Sequence, residues 1–147
     1  MPPVKPYEIS TDRSRLDVAL IHDFLRTSYW AQGIPRSVVE RAIKNSLCFG
    51  AYLDGRQVGF ARVISDFATI AYLADVFVVP GQRGKGISKL MMRAIVEHPD
   101  LQGLRRIVLV TKDAHGLYEQ FGFTPLAKPG DFMTIHKPDI YRDGRMG

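Results

Sequence analysis

The sequence predicts an α+β domain with a central mixed sheet, and three observations support that prediction. Asp54-Gly55 lies between two apolar runs, which is a strong signal for an antiparallel hairpin. A long, nearly continuous apolar run at 69–79 is typical of a central strand that is buried on both faces. A helical repeat of apolar residues separates it from another apolar run at 105–111, so these two strands are expected to be parallel.

The predicted elements follow the order β-α-α-β-β-β-α-β-α-β-β. Ser14-x-x-Asp17 and Ser37-x-x-Glu40 resemble capping boxes and predict the starts of the first two helices. In chain order we expect a strand at 4–9, helices at 14–28 and 35–45, strands at 47–53, 57–64 and 69–79, a helix at 87–97, a strand at 105–111, a helix at 113–121, and strands at 123–127 and 132–136.

The 147 residues are the length of one domain, which we expect to span 1–147 with its core over 7–136 and a polar tail at 138–147. Cys48 is the only cysteine, so an internal disulfide is impossible and a reducing, cytoplasmic location is favoured. We find no secretory leader and no apolar run of about twenty residues, the length that spans a bilayer.

The distribution of charge and histidine argues against two classes of partner. The net charge of +5 comes from scattered residues rather than a basic stripe, so neither a nucleic-acid surface nor a membrane partner is predicted. The four histidines have no ligand-like spacing, so no metal site is predicted.

A glycine-rich turn at 80–88 follows the central strand and leads into the next helix. A helix N-terminus offers free backbone N–H groups, and glycine lets an anion approach them closely, so this turn predicts a phosphate or pyrophosphate site. A P-loop is excluded because Ile87 occupies the place of its lysine. A dinucleotide-binding turn is excluded because Lys89 occupies the place of its third glycine.

Residues 83–88, Arg-Gly-Lys-Gly-Ile-Ser, and residues 118–123, Tyr-Glu-Gln-Phe-Gly-Phe, form two motifs that together resemble those of the Gcn5-related N-acetyltransferase (GNAT) superfamily. Residues 83–88 resemble its acetyl-CoA pyrophosphate loop, with Ser88 where the family carries glycine or alanine. Residues 118–123 resemble its Tyr-x-x-x-Gly-Phe stretch, and the predicted order of elements is also the family's. The resemblance covers about residues 7–136.

The resemblance implies acetyl transfer from acetyl-CoA to a primary amine by direct attack in a ternary complex. Tyr118 matches the tyrosine that protonates the leaving thiolate and contacts the cofactor. The residues expected to bind acetyl-CoA lie on the end of the central strand and on the turn: Phe77, Val78, Val79, Arg83, Gly84, Lys85, Gly86, Ile87, Ser88 and Lys89.

For the general base and for the acceptor pocket the sequence offers several candidate residues. Asp75, the one ionisable residue in the central strand, is the first candidate base, although it could equally be a structural hydrogen-bond acceptor for the opening helices. Asp66 and His115 are weaker candidates for the general base. Asp113 stands near the position at which many relatives carry an asparagine that contacts the cofactor. Aromatic residues that could line an acceptor pocket are Tyr29, Trp30, Phe67 and Tyr141.

The expected partner is a small-molecule or peptide amine, and the resemblance also allows a homodimer. The alternatives are a GNAT-fold protein that binds CoA without catalysis and, less favoured, a basic nucleic-acid-binding domain.

Overall fold

A computed structural model of the chain describes residues 6–142. Its centre is a five-stranded sheet in which strands lie in chain order, with antiparallel pairing from β1 to β4 and parallel pairing between β4 and β5. The strands are β1 (Tyr7–Ser10), β2 (Leu47–Leu53), β3 (Arg56–Ser65), β4 (Ile70–Val78) and β5 (Arg106–Leu109). The predicted fold class, a mixed sheet with helices, is therefore confirmed.

Four α-helices in the described chain cover the two faces of this sheet. Successive residues of a strand point to opposite faces, so each strand contributes side chains to both helix layers. On β3, Phe60 joins an apolar cluster with α1 and α2, whereas Ala61 joins a cluster with α3 and Tyr118. The helices are α1 (Val18–Leu25), α2 (Arg36–Lys44), α3 (Ile87–Val96) and α4 (His115–Glu119).

The hairpin and the crossover have the predicted local chemistry. Asp54 and Gly55 both have positive φ, 51° and 80°, as a two-residue turn between twisted antiparallel strands requires. Helix α3 connects β4 to β5, and the two strands pair in parallel.

The predicted start of the first helix is wrong, and so is the capping box predicted for the second, although α2 lies within the predicted range 35–45. Ser14 belongs to a separate 3₁₀ turn capped by Asp12, and α1 begins three residues later, with the Asp17 carboxylate accepting from the Leu20 N–H at 3.0 Å. Pro35 occupies the N-cap of α2 and no side chain caps it, so the Ser37-x-x-Glu40 box does not form.

The last two predicted strands, 123–127 and 132–136, are also wrong: neither segment pairs with the sheet. Neither segment makes a backbone hydrogen bond to β5, whose outer edge no described strand covers. The start of the predicted first strand and residues 143–147 of the predicted tail lie outside the described residues. Within the described part of the tail, Tyr141 packs against the apolar cluster of α1 and α2.

Candidate active site

The two parallel strands, β4 and β5, separate partway along β4. Pairing between β4 and β5 ends at Leu73 and Leu109, while β4 continues to Val78. Antiparallel pairing with β3 persists, and the Val79 N–H donates to the Val58 carbonyl at 2.9 Å. Because backbone groups of successive strand residues point to alternate edges, the N–H and C=O of Val78 face the open side. The gap therefore presents main-chain groups rather than a closed sheet.

A bulge bends β4 at the point where this gap begins. Arg62 pairs with Ala74 and Phe60 with Phe77, so β4 has one residue more than β3 between these pairs. Asp75 lies in the bulge and has a φ of +56°, a left-handed conformation that few residues other than glycine adopt. Such a conformation persists only where surrounding contacts hold it.

Contacts of the Asp75 side chain hold this bulge. One carboxylate oxygen accepts from the Arg62 Nε at 2.8 Å, and the other accepts from the Trp30 indole N–H at 2.8 Å. Arg62 also donates to the Ser46 hydroxyl at 3.1 Å. The Arg62 and Asp75 side chains are only 16% and 11% exposed, so the ion pair is largely shielded from water. The carboxylate thus connects β3, β4 and the loop after α1.

The glycine-rich turn after β4 forms an open helix N-terminus. Gly84 and Gly86 have φ values of 77° and 81°, and α3 begins directly after Gly86 with no side-chain cap. A Cβ placed on either glycine would meet no atom within 4 Å, so the turn lies against open space. The free N–H groups of the first turn and the positive end of the helix dipole suit an anion.

Cationic side chains surround this turn. Arg83 donates through Nε to the Val78 carbonyl at 3.1 Å, which fixes its guanidinium at the end of β4. Lys85 lies 3.5 Å from the Gln82 amide oxygen, which also accepts from the Tyr7 hydroxyl at 3.0 Å. Lys89 is exposed in the first turn of α3. The turn therefore combines free N–H groups with positive charge.

Tyr118 lies on α4 and is buried in the apolar cluster on the α3 side of the sheet. Its ring makes an edge-on contact with Phe123, with 5.9 Å between ring centroids. Burial raises the pKa of the Tyr118 phenol above its ordinary value, and the nearby Tyr29 and Asp113 side chains raise it further. The phenol consequently retains its proton at neutral pH.

The aromatic loop after α1 packs over β4. Phe24 and Phe77 stack with their ring centroids 4.0 Å apart, and Trp30 contacts both Phe24 and Tyr29. The Lys112 ammonium, beyond the end of β5, lies 5.1 Å from the centre of the Tyr29 ring. The loop thus reaches from β4 across to the segment after β5.

The structure does not bring Phe67 together with these aromatic residues. Phe67 lies in the turn between β3 and β4, before Ile70, whereas Trp30 bonds to Asp75. Five residues of strand, about 16 Å, separate Ile70 from Asp75. Tyr141 instead lines a small cavity of about 100 Å³ that also borders Arg62 and Asp75.

The two weaker candidate bases are a turn-forming carboxylate and an exposed histidine. Asp66 accepts hydrogen bonds from the Thr69 hydroxyl and from the N–H groups of Ala68, Thr69 and Ile70, which hold the pKa of its carboxyl far below the usual range. It is fixed as a turn-forming carboxylate and is a poor proton acceptor. His115 is exposed at the start of α4.

Three further features of the site were missed by sequence reasoning. Phe24 and Lys112 contact the aromatic loop, and no local pattern predicts either contact. Arg62 could have been found, because it is the one cation within the strand predicted at 57–64 and antiparallel register brings it close to Asp75.

Residues 6–142 contain no helix long and apolar enough to span a membrane. In the same part of the chain, no three His, Cys, Asp or Glu side chains gather in a manner that could hold a metal ion.

Comparison with known proteins agrees with this geometry. The chain resembles a crystal structure of a protein from Xanthomonas campestris pv. campestris that is provisionally named an acetyltransferase of the GNAT family. The identity is 55%, the TM-score is 0.91, and the match covers 95% of this chain and 99% of that one. A Gibberella zeae protein provisionally named acetyltransferase FG08082 is 33% identical over 135 residues, which cover 76% of this chain and 75% of that protein.

A more distant structure shares the fold alone. It is a predicted acetyltransferase from Clostridium acetobutylicum, solved with acetyl-CoA, with 17% identity, a TM-score of 0.63, and coverage of 88% of this chain and 94% of that one. Residues 17–123 match the Acetyltransferase (GNAT) family. Because this match covers most of the chain, the chain belongs to the GNAT family of acetyltransferases.

Proposed function

We propose that the protein is an acetyl-CoA-dependent N-acetyltransferase that acetylates a primary amine by direct attack in a ternary complex. The observation that carries this proposal is the continuous path from the gap between β4 and β5 to the uncapped start of α3. The path offers main-chain hydrogen-bonding groups first and an anion site afterwards. An amide-containing arm that ends in a pyrophosphate needs that combination.

The donor-binding residues divide by the kind of contact that they offer. The Val78 carbonyl, which faces the open side and also accepts from Arg83, would accept from an amide N–H of the arm, while Phe77 and Val79 keep that backbone fixed against β3. The N–H groups of Ile87, Ser88 and Lys89 and the open backbone at Gly84 and Gly86 would receive the pyrophosphate. Arg83 and Lys85 would add positive charge.

Acetyl-CoA supplies an activated acetyl group whose C–S bond breaks as the new C–N bond forms. In this proposal Tyr118 gives its proton to the departing sulfur, a role that requires a phenol still protonated at neutral pH. The raised pKa of Tyr118 supports that role. The Val78 N–H on the open edge is the main-chain donor available to the carbonyl oxygen as it gains negative charge.

For Asp75 the contacts favour an anchoring role over that of general base. Both of its oxygens already accept hydrogen bonds, one of them from a cation. Loss of this carboxylate would release both the bulge and the aromatic loop. We therefore infer that Asp75 positions β4 and Trp30 and that the amine proton leaves to water.

The acceptor side is formed by the aromatic loop. Tyr29 and Trp30 offer aromatic faces beside β4, a suitable environment for a cationic or apolar amine, small molecule or peptide. Phe67 makes no ring contact with either of them among the described residues, so we place it outside this pocket.

We further propose that the enzyme acts in the cytoplasm, without a metal and without nucleic-acid or membrane partners.

The test is release of free thiol from acetyl-CoA with a panel of primary amines, including amino acids, polyamines and lysine peptides. Amine-dependent thiol release, with an acetylated product of the expected mass, supports the proposal. Tight binding of CoA by calorimetry without thiol release for any amine would favour the non-catalytic CoA-binding alternative. Absence of CoA binding would contradict both.

A further inference from the structure

A lysine from the segment after β5 lies at the mouth of the gap between β4 and β5. Trp30 is hydrogen-bonded to the bulge of β4, and the ring of its neighbour Tyr29 lies 5.1 Å from the Lys112 ammonium. A hydrogen bond of 3.0 Å from the Ala114 N–H to the Thr111 hydroxyl holds the turn that carries Lys112. The two sides of the gap therefore meet where the aromatic loop forms the acceptor side.

The positive charge of Lys112 is not used within the protein. Among residues 6–142 its ammonium forms no ion pair, whereas the Arg62 guanidinium, the nearest cation to the bulge, is already paired with Asp75. Lys112 is exposed, and Tyr29 is 64% exposed, so a molecule that enters from solvent can reach both. Lys112 is thus a cation that is available to an acceptor.

The same ring lies close to the proposed proton donor. The Tyr29 and Asp113 side chains are near enough to the Tyr118 phenol to raise its pKa. Tyr29 is therefore near both Tyr118 and Lys112. An amine that attacks the thioester beside Tyr118 would have the rest of its molecule close to the Lys112 ammonium, and the Asp113 carboxylate would attract the amine end before it loses its proton.

We propose that Lys112 determines acceptor specificity by pairing with a carboxylate of the acceptor, so that the enzyme prefers primary amines that also carry a carboxylate. This inference rests on the proposed function. Aromatic faces alone would attract a cationic acceptor, but over Tyr29 such an acceptor would meet the like charge of Lys112, which disfavours polyamines. One ammonium matches the single charge of a carboxylate, whereas a phosphate carries more charge and is usually held by several donors.

The test compares kcat/KM, measured by thiol release, for three series of primary amines of matched chain length: ω-amino carboxylates, the corresponding carboxamides and the corresponding diamines. We expect the unaltered protein to prefer the carboxylates. In Lys112→Met, kcat/KM for the carboxylates should fall about tenfold, as loss of a hydrogen bond between charged groups predicts, while that for the carboxamides changes less than about twofold. Lys112→Arg should retain the preference, and Lys112→Glu should shift it toward the diamines. Each acceptor is compared between variants, so differences in amine basicity cancel.

The matched control is Lys128→Met, which removes an exposed lysine beside Arg105 and Arg106, at the start of β5 rather than beyond its end. It should leave the preference unchanged, and the Kd for CoA by calorimetry should be the same in every Lys112 variant. Equal losses for carboxylates and carboxamides in Lys112→Met would show a purely structural role and overturn the proposal.

The unaltered protein supplies two further tests of the acceptor class. A preference for the diamines, or for phosphoethanolamine over β-alanine, would overturn the inference while leaving the proposed acetyl transfer intact, because thiol release would still depend on an amine. CoA binding without thiol release for any amine would instead contradict the proposed function, and this inference with it.

Discussion

The indole N–H of Trp30 donates to the carboxylate of Asp75 at 2.8 Å, which joins the loop after α1 to the bulge of β4. The two residues are 45 positions apart in the sequence. The hydrogen bond makes the position of the aromatic loop depend on the same carboxylate that holds the left-handed backbone of the bulge.

Asp75→Asn should mainly reduce stability. Asparagine tolerates the left-handed conformation, but Arg62 would lose its counter-charge in a largely buried position. We expect the free energy of unfolding to fall by about 3 kcal/mol, measured by urea denaturation. The matched variant Arg62→Gln should produce a similar loss.

The kinetics of the same variant separate anchor from base. If Asp75 only positions β4 and Trp30, kcat of Asp75→Asn with saturating substrates should fall by less than about tenfold, and its pH profile should be unchanged. A fall of about a thousandfold, with loss of the acidic limb of the profile, would instead identify Asp75 as the general base.

Tyr118→Phe should lower turnover while leaving the donor in place. Removal of the proton donor should reduce kcat by a factor on the order of a hundred or more, while the Kd for CoA by calorimetry changes little. Tyr72→Phe, on the exposed face of β4, is the control and should behave like the unaltered enzyme. Because the pKa of Tyr118 is raised, the alkaline limb that it sets should lie above pH 10. An unchanged kcat would remove Tyr118 as the acid.

Gly86→Ala should weaken CoA binding through the backbone. A Cβ at this position meets nothing within 4 Å, but the φ of 81° costs a non-glycine residue about 1 kcal/mol or more. The start of α3 would relax and its N–H groups would turn from the anion. Gly81→Ala, also in open space, should leave the Kd for CoA unchanged. Equal effects of the two substitutions would contradict this account of the turn.

Gly50→Ala should destabilise the sheet by overpacking. A Cβ on Gly50 would lie 2.7 Å from the Tyr52 Cζ, and we expect a loss of about 2 kcal/mol. Within residues 6–142 the buried Tyr52 hydroxyl has no hydrogen-bond partner, so Tyr52→Phe alone should be neutral or stabilising. In the double variant Tyr52→Phe should recover part of the loss from Gly50→Ala, and additive effects in thermal unfolding would argue against this contact.

Cys48 should make stability depend on pH in the alkaline range. Burial raises the pKa of its thiol from 9.0 to about 11, so the folded state holds the proton more tightly than the unfolded state does. The resulting stabilisation is complete below pH 9 and is lost as the pH rises toward 11. Cys48→Ala should flatten the slope of unfolding free energy over this range. The thiol should also react with Ellman's reagent only after denaturation, because 1% of the residue is exposed.

Features with a local cause could be predicted from the sequence. The Asp54-Gly55 hairpin depends on two adjacent residues, and the turn before α3 depends on Gly84 and Gly86, which adopt positive φ at little cost. The order of elements up to α4 follows from apolar periodicity and from such turns.

The features that could not be predicted depend on partners distant in the sequence. The contacts of Asp75 come from Arg62 and Trp30, and no local pattern specifies the latter. The segments 123–127 and 132–136 have the composition of strands, but composition does not supply a neighbouring strand. Helix α1 starts at Val18, later than predicted, because Asp12 first caps a short 3₁₀ turn.

The donor half and the acceptor half of the proposed site depend on different kinds of atom. In the proposed site, recognition of the donor at Val78 and along the start of α3 would rest on main-chain groups, which persist through many changes of side chain. Around Tyr29 and Trp30, recognition of the acceptor would rest on ring position and on one carboxylate. In the proposed enzyme, substitutions in the aromatic loop would therefore change which amine is accepted while use of the same donor is retained.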